Sequence, residues 1–165
     1  MRKLPKFLLV LVLVLTLVGC DQATKSIAKQ ELRFSNPVRL FGGFVHFQYA
    51  ENQGAFLNLG EKLSISVRKT ISVSLSVVIL AGFIALLLYA DKIGFSKVVS
   101  FSLLIAGSIG NLIDRLFNQA RVVDFLIVGT KTIHTGILNV ADLLITTGII
   151  TLFIIELSHK KESSK

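Results

Sequence analysis

Several ionisable side chains lie in or beside the most apolar stretches of this 165-residue sequence. An ionisable group is costly inside a membrane-spanning helix, so each one is a candidate functional residue. Asp142 lies five residues inside the apolar segment 137–157, which is about 7–8 Å along a helix. Asn139 precedes it by three positions and is expected to share its helical face. Asp124 occurs in RVVDFLIV, a β-branched run that brings the chain back towards the membrane.

Asp124 and Asp142 can form a catalytic pair if the fold brings them together. Two carboxyl groups held close share one proton, because their mutual repulsion raises the pKa of one of them. One carboxylate can then act as a base towards water while its protonated partner polarises a carbonyl group, as in aspartic proteases. The pattern therefore predicts peptide hydrolysis without a covalent intermediate or a metal. In the simpler alternative, Asp142 is a helix–helix hydrogen-bonding residue and Asp124 a solvated loop acid.

Further polar residues occur at the same end of the predicted helices. Asn111 and Arg115 are four positions apart near the end of the third apolar segment, so they share one helical face. Asp21 and Lys25 have the same spacing at the end of the first segment. Asp114 adjoins Arg115, and we expect it to form an ion pair or to cap its helix.

The composition indicates a membrane protein. Hydrophobic residues make up 52% of the chain and charged residues 17%, and the mean hydropathy of +0.71 is rare in a soluble domain of this length. The formal net charge of +8 does not indicate nucleic-acid binding, because the basic residues are scattered and many flank apolar runs. No metal or other cofactor is expected, because the three histidines have no partner at metal-ligand spacing: His46, His134 and His159.

Four apolar segments predict four transmembrane helices in a single membrane domain, residues 1–165. The predicted spans are residues 4–28, 71–90, 97–116 and 137–157. With four spans, the basic flanks of the segments fall on one side of the membrane, which the positive-inside rule makes cytoplasmic, together with both termini. These flanking residues are Arg2, Lys3, Lys6, Lys92, Lys97, Lys160 and Lys161.

The first long loop contains a predicted strand. Val45, Phe47 and Tyr49 alternate with polar residues, and glycine and asparagine residues on both sides favour turns. The pattern indicates a small extracytoplasmic β-sheet within about residues 34–62, resting at the membrane interface. A plain extracytoplasmic loop is the alternative.

Five short motifs occur in one order along the chain: DQATK, ENQGAF, AGSIGNLIDR, VVDF and LNVAD. In order and spacing they resemble the lipoprotein signal peptidases, the type II signal peptidases of bacteria, over about residues 7–157. The resemblance implies a four-helix membrane aspartyl endopeptidase of the bacterial cytoplasmic membrane. Such an enzyme cuts diacylglyceryl-modified prolipoproteins before the lipidated cysteine, with its active site near the extracytoplasmic face. Prolipoproteins and membrane lipid are then the expected partners, and the chain is expected to act as a monomer.

The resemblance also assigns site residues. Asp124 of VVDF and Asp142 of NVAD match the catalytic pair. The supporting residues implied by the other motifs are Asn52, Gly54, Asn111, Arg115, Asn139, Asp21 and Lys25. Three departures concern loop geometry rather than the acids and amides: NQGAF is one small residue shorter than the common pattern, Leu138 replaces a frequent phenylalanine, and Cys20 precedes Asp21 where aliphatic residues are common.

The stretch LVGC, ending at Cys20, permits a different interpretation. A basic start, an apolar core and L-V-G-C satisfy the local criteria for a lipoprotein signal, which would make Cys20 the N-terminus of a lipidated protein. That interpretation leaves three further spans and the ordered motifs unexplained. A small transporter with proton or ion sites is a third possibility, although no inverted repeat is visible. A serine hydrolase using Ser26 with Lys25 or Lys29 is disfavoured, since a residue next to Ser26 on a helix does not face it.

Overall fold

The computed structural model describes residues 3–53, 64–89 and 93–163. Within these ranges four long helices form: α1 (Lys3–Glu31), α2 (Ile65–Tyr89), α3 (Phe95–Phe117) and α4 (Val140–Ser163). Three strands form as well: β1 (Val38–Leu40), β2 (Val45–Asn52) and β3 (Val122–Val128). Each helix contains a stretch that is long and apolar enough to cross a membrane. The predicted membrane α-helical fold with a small sheet is therefore confirmed.

The helix ends differ from the predicted spans by a few residues. α2 begins at Ile65 rather than at residue 71, because the helix also includes the more polar residues that precede its apolar stretch. α1 likewise continues to Glu31. α4 begins at Val140 rather than at residue 137, since the residues before it are drawn into contact with β3.

α3 is the inner helix of the four. In its apolar span 61% of the residues are buried, against 6% in α1, 6% in α2 and 11% in α4. Small residues let α3 and α4 approach closely, as is common between membrane helices. A Cβ atom on Gly107 of α3 would lie 2.5 Å from the carbonyl oxygen of Ala141. A Cβ atom on Gly148 of α4 would lie 2.9 Å from Cγ of Leu104.

The other helices expose large apolar side chains along their lengths. Such a continuous apolar surface is foreign to a soluble monomer, which exposes only limited apolar patches. Examples on α1, α2 and α4 are Leu8, Val12, Leu15, Val78, Leu86, Ile149, Ile150 and Phe153.

The sheet is antiparallel, with strand order β1-β2-β3. β2 confirms the strand predicted from the alternation of Val45, Phe47 and Tyr49. The third strand was not predicted: the sequence placed the sheet within residues 34–62, whereas β3 comes from residues 122–128. Its β-branched residues suit a strand, but its pairing partner lies 70 to 83 residues earlier in the sequence. Residues 54–62 of the predicted region lie outside the described residues.

The segment after β3 folds back onto that strand before α4 begins. The backbone N–H groups of Phe125 and Leu126 both donate to the carbonyl oxygen of Leu138, each at 2.9 Å, and Leu138 N–H donates to Leu126 O at 2.8 Å. Leu138 is thereby fixed beside β3. The next residue, Asn139, and the start of α4 consequently lie next to Asp124.

Candidate active site

Asp142 lies in the first turn of α4, where it takes part in a reciprocal cap. The Asn139 side-chain Oδ1 accepts the Asp142 backbone N–H at 2.9 Å, and the Asn139 backbone N–H donates to Asp142 Oδ2 at 3.2 Å. This is the geometry of a capping box, which satisfies N–H groups that have no acceptor within the helix. Asn139 thus faces the same side as Asp142, as expected, but from the N-cap position rather than from within the helix. Asn139 precedes the helix, and Asp142 is its third residue.

Asp124 lies in the buried part of β3 and is 2% exposed. Its pairing partner across the sheet is Ala50 of β2. Asn52 is two residues from Ala50 and therefore points to the same face of the sheet, and its side chain forms a hydrogen bond with the Asp124 carboxyl group. Asn139 Nδ2 donates to Asp124 Oδ1 at 2.6 Å.

Asn139 joins the two acids: its side-chain amide contacts Asp124, and its backbone N–H contacts Asp142. The electrostatic environment of Asp124 reflects this proximity. The pKa of Asp124 is raised from 3.8 to about 6, chiefly because the group is buried and also because of the nearby Asp142 charge. Hydrogen bonds from Asn52 and Asn139 and the Lys25 charge lower this pKa and offset part of the rise. The structure thus brings together the two acids that the sequence analysis selected.

Asn111 of α3 connects this pair to the rest of the site. Its Nδ2 donates to Asp142 Oδ1 at 2.9 Å. Its Oδ1 accepts hydrogen bonds from Asn139 Nδ2 and Lys25 Nζ, each at 3.1 Å. Because both ends of its amide are occupied, Asn111 has one preferred orientation, and that orientation presents a donor to Asp142.

Arg115, one turn further along α3, adds positive charge. Its Nη1 donates to the backbone oxygen of Asn111 at 3.1 Å. The guanidinium group interacts electrostatically with Asp142, Asp114 and Asp124. It therefore offsets part of the negative charge that the buried acids concentrate here.

Asp21, Lys25 and Asp114 form a buried ion cluster beside the pair. Lys25 Nζ lies 2.9 Å from Asp21 Oδ2 and 3.1 Å from Asp114 Oδ2. The expected i,i+4 pair of Asp21 and Lys25 is present. The salt-bridge partner of Asp114 is Lys25 of α1, whereas adjacent helical positions such as Asp114 and Arg115 do not face each other.

Two residues of the site were missed by the sequence analysis as contributors. Asp114 was expected only to form an ion pair or to cap its helix, and Gln22 was not selected. Gln22 Nε2 donates to Asp21 Oδ2 at 3.1 Å, to Asp114 Oδ1 at 3.2 Å and to the backbone oxygen of Gly110 at 3.1 Å. The spacing of Asp114 three positions after Asn111, on an apolar helix, was the available signal.

Of the nine site residues selected from the sequence, eight meet around the first turn of α4: Asp21, Lys25, Asn52, Asn111, Arg115, Asp124, Asn139 and Asp142. Gly54 lies outside the described residues. α1 runs without a break through Cys20, whose side chain is exposed. This helix carries three residues of the site just after the LVGC stretch: Asp21, Gln22 and Lys25.

A second polar cluster lies on the sheet. The Tyr49 hydroxyl donates to Glu51 Oε1 at 2.7 Å, and Arg121 Nη1 lies 2.9 Å from Glu51 Oε2. Burial, followed by the hydrogen bond to Glu51, raises the pKa of Tyr49 to about 12. The hydrogen bonds from Tyr49 and Arg121 hold the pKa of Glu51 below its usual value. Glu51 is adjacent to Ala50 in β2, so this cluster lies on the opposite face from Asp124.

The fold and the site together define a class of protein. Two carboxyl groups, one with a raised pKa, lie beside each other where candidate membrane helices meet a small sheet. A carboxyl pair of this kind is the machinery of aspartic peptidases. The class is that of the membrane aspartic peptidases.

Comparison with known proteins agrees with this class. A family model described as signal peptidase (SPase) II matches residues 13–158. The lipoprotein signal peptidase of Streptococcus pneumoniae is 32% identical over 152 residues, which cover 92% of this chain and 94% of that protein. The lipoprotein signal peptidase of Desulforapulum autotrophicum is 34% identical over 136 residues, covering 81% and 82%. A solved bacterial membrane enzyme superposes with a TM-score of 0.78 at 26% identity, covering 93% of this chain and 90% of that one.

The chain belongs to the signal peptidase II family, and it is accordingly a hydrolase of the membrane aspartyl protease class. The match begins before Cys20 and continues through all four helices. The family interpretation of LVGC, as part of the first helix of an enzyme, therefore replaces the lipoprotein interpretation.

Proposed function

We propose that Asp124 and Asp142 are the catalytic pair with which this enzyme removes signal peptides from diacylglyceryl-modified prolipoproteins, cutting before the lipidated cysteine. The observation that carries this proposal is Asn139, which contacts both carboxyl groups with N–H donors. Through it the two acids are held side by side, although they belong to β3 and α4.

The surroundings of the two acids assign them different roles. Both oxygens of Asp142 accept N–H hydrogen bonds, from Asn111 Nδ2 and from the Asn139 backbone, and the group lies at the positive end of a helix dipole. Asp142 is therefore the carboxylate that takes a proton from the attacking water. Asp124, whose pKa is raised to about 6, is the protonated partner that donates a hydrogen bond to the scissile carbonyl oxygen.

The reaction then proceeds by general acid–base catalysis in two steps. Water oxygen bonds to the carbonyl carbon, its proton passes to Asp142, and the Asp124 proton moves to the carbonyl oxygen, which gives a neutral tetrahedral diol. In the second step Asp142 returns a proton to the departing nitrogen, the carbon–nitrogen bond breaks, and Asp124 recovers its proton from a diol hydroxyl. The products are a signal peptide with a free carboxyl group and a lipidated cysteine with a free amino group.

The supporting residues act on this pair rather than on the bond that is cut. Asn52 and Asn139 hold the Asp124 carboxyl group in one orientation. Asn111 does the same for Asp142. The charge of Arg115 offsets the negative charge of the acids. We include Gly54 in the substrate-contacting loop on the strength of its motif alone.

The position of the acids suits a substrate that is anchored in lipid. Each buried CH₂ group contributes about 0.8 kcal/mol to membrane anchoring, so a diacylated peptide does not leave the bilayer readily. Asp142 is in the first turn of the span Val140–Ser158, at the end where the sheet meets the helices. An acid at that depth is accessible both to water and to a peptide held by its acyl chains. The exposed apolar faces of α1, α2 and α4 are the surfaces that we assign to lipid contact.

The same arrangement supports an orientation in the bacterial cytoplasmic membrane. Lys6, Lys97 and Lys160 belong to the ends of α1, α3 and α4 that are remote from the acids. Lys6 Nζ donates to Leu87 O at the end of α2. By the positive-inside rule that end, with both termini, is cytoplasmic and the acids face the extracytoplasmic side.

A cleavage assay tests the catalytic pair. The substrate is a synthetic precursor peptide with a diacylglyceryl cysteine, and the enzyme is the purified full-length chain in detergent. Asp124→Asn and Asp142→Asn should each lower kcat by at least about 10²–10⁴-fold, which is the usual contribution of a general acid or base. Glu156→Gln is the control, because this carboxylate pairs with Lys97 and is exposed.

The control variant should cleave at the wild-type rate. Turnover by either aspartate variant close to that of the wild type would refute the assignment of the pair. The same peptide without lipid should be cut much more slowly. Equal rates on the two peptides would refute the lipidated substrate while leaving the catalytic pair intact.

A further inference from the structure

The backbone N–H group immediately before each proposed catalytic aspartate donates to a second, buried aspartate. Ala141 N–H, which precedes Asp142, donates to Asp21 Oδ1 at 2.8 Å. Val123 N–H, which precedes Asp124, donates to Asp114 Oδ2 at 2.9 Å. The two acids of the catalytic pair are thus each tethered, one residue upstream, to a carboxylate on a transmembrane helix.

The two tethering carboxylates share one cation. Lys25 Nζ lies 2.9 Å from Asp21 and 3.1 Å from Asp114, and it donates to Asn111 Oδ1 at 3.1 Å. Three acceptors correspond to the three protons of an ammonium group, so its hydrogen-bonding capacity is used in full. Asp21 is 0% exposed, Lys25 3% and Asp114 7%. Removing one partner would leave a buried charge uncompensated, so the three side chains are fixed as a unit.

We propose that Asp21 and Asp114, joined through Lys25, are positioning residues that set the separation of the Asp124 and Asp142 carboxyl groups. The proposal rests on the catalytic pair argued above and assigns a purpose to an ion cluster that does not itself contact the pair's carboxyl oxygens.

The chain between the two acids fixes Leu138 beside β3, but the acceptors of Ala141 N–H and Val123 N–H lie outside it, on Asp21 and Asp114. Asp124 and Asp142 are separated by a loop in which Thr130–His134 are exposed. Ala141 is the second residue of α4, and the first N–H groups of a helix have no acceptor within it. Its acceptor is Asp21 of another helix. The register of α4 against α1 is consequently fixed at the residue next to Asp142.

Gly110 shows how closely the cluster is fitted. A Cβ atom on Gly110 would collide with Asp21 Oδ2, and it would lie 3.3 Å from the Cβ of Ala141. Asp21 therefore fills the space between α3 and the start of α4. Displacing it would move the N–H acceptor that holds Ala141.

Lys25 also connects the cluster electrostatically to the pair. Lys25 interacts with Asp21 on its own helix, Asp114 on α3 and Asp124 on β3. The other charged groups of the site are Arg115 on α3 and Asp142 on α4. The Lys25 charge lowers the pKa of Asp124. Activity that requires protonated Asp124 is lost as the pH rises through that pKa. Removing the Lys25 charge should therefore move this loss to higher pH.

Two independent readouts test the proposal in the full-length enzyme. The first is amide hydrogen exchange by mass spectrometry. Asp21→Ala should accelerate exchange in peptides that contain Ala141 but not in those that contain Val123, and Asp114→Ala should do the reverse. The second is steady-state cleavage of the lipidated peptide. Each variant should lower kcat by about 10²-fold, which is what misplacement by about 1 Å can produce, with KM changed less than about threefold.

Conservative and matched variants separate positioning from general destabilisation. Asp114→Asn keeps an oxygen for Val123 N–H and Lys25, and it should recover most of the activity lost in Asp114→Ala. Lys25→Met should lower kcat and move the alkaline loss of activity to higher pH, whereas Lys29→Met, one turn further along α1 and exposed, should change neither. If Lys25→Met does not fold, Lys25→Gln serves in its place.

Faster amide exchange confined to the expected peptide, together with a lower kcat, supports the proposal. Uniformly faster exchange, or an unchanged kcat in a variant whose exchange at Ala141 or Val123 has increased, overturns it. An inactive Asp124→Asn beside a fully active Asp21→Ala would likewise overturn the positioning role while leaving the catalytic pair in place.

Discussion

The carboxyl group of Asp124 is expected to oppose folding at neutral pH, so replacing it should stabilise the protein. Burial raises the pKa of Asp124 from 3.8 to about 6, which means that the folded chain binds this proton more tightly than the unfolded chain does. The stabilisation from the bound proton is complete below about pH 4 and is lost as the pH rises through 6. Asp124→Asn is uncharged at every pH, so it removes the unfavourable term above pH 6.

The size of the effect follows from the two pKa values. They differ by about 2, and at about 1.4 kcal/mol for each pKa unit the ceiling is about 3 kcal/mol. Rearrangement of Asn52 and screening by nearby water reduce this, so we expect about 1–2 kcal/mol at pH 7.5. For a chain of this size 1 kcal/mol corresponds to about 2–4 °C, so Tm should rise by about 2–8 °C. The hydrogen bond from Asn139 is retained, because the new amide also offers an oxygen.

Asp142→Asn should have the opposite effect. Both oxygens of Asp142 accept N–H hydrogen bonds, and an amide would turn one of these acceptors into a donor facing a donor. Loss of a charged hydrogen bond and of a negative charge in the first turn of α4 should lower the stability by about 1–3 kcal/mol. The two variants are equally conservative in shape, so the difference in sign isolates the electrostatic environment.

Thermal unfolding in detergent, followed by circular dichroism at 222 nm, measures both variants. The chain has no tryptophan and two tyrosines, so helical signal is a better probe than intrinsic fluorescence. Most of the gain in Asp124→Asn should vanish at pH 4, where Asp124 of the wild type is protonated. A lower Tm at pH 7.5, or the same gain at both pH values, would refute the reasoning.

Two further changes probe the packing around the pair. Asn139→Ala removes the cap of α4 and the donor to Asp124. The variant should lose about 1–2 kcal/mol of stability and have a lower kcat. A variant with the Tm and the kcat of the wild type would contradict the bridging role of Asn139. Gly110→Ala would push on Asp21 and should reduce kcat about as much as Asp21→Ala does. Its control is Gly82→Ala, where a Cβ meets nothing within 4 Å. Equal kcat values for Gly110→Ala and Gly82→Ala would show that pressure on Asp21 does not affect catalysis.

The helices and one strand were accessible from the sequence because they depend on local patterns. Four apolar runs reveal helices of membrane-spanning length, and strict alternation around Phe47 reveals β2. The predicted start of α4 was three residues too early, because hydropathy does not reveal where a helix is capped. Ile137 and Leu138 are apolar, yet they belong to the segment that is hydrogen-bonded to β3. β3 was missed as a strand of the sheet because its partner β2 lies far away in the sequence.

The candidate site was accessible to the extent that charge inside an apolar helix is unusual. That rule selected Asp21, Lys25 and Asp142, helical spacing added Asn111 and Asn139, and the motifs added Asn52. It could not show which groups contact one another. Asp114 was paired with its neighbour in sequence, whereas the fold turns it towards Lys25 on another helix. The acceptors of Ala141 N–H and Val123 N–H leave no trace in the sequence, because any residue type has a backbone N–H.

Burial of the acids accounts for both the stability and the chemistry proposed for this site. Four carboxyl groups, Asp21, Asp114, Asp124 and Asp142, lie together with two cations, Lys25 and Arg115. If all were ionised the group would carry two excess negative charges away from bulk water, which is unfavourable. Asp21 and Asp114 are paired with Lys25, and Asp142 is stabilised by N–H donors, so Asp124 is the group whose protonation relieves the excess at least cost. The proton that folding favours on Asp124 is the one that the reaction needs on a general acid. An ion cluster that fixed all four acids as anions would stabilise the helices equally well, but it would leave no proton for the carbonyl oxygen of the substrate.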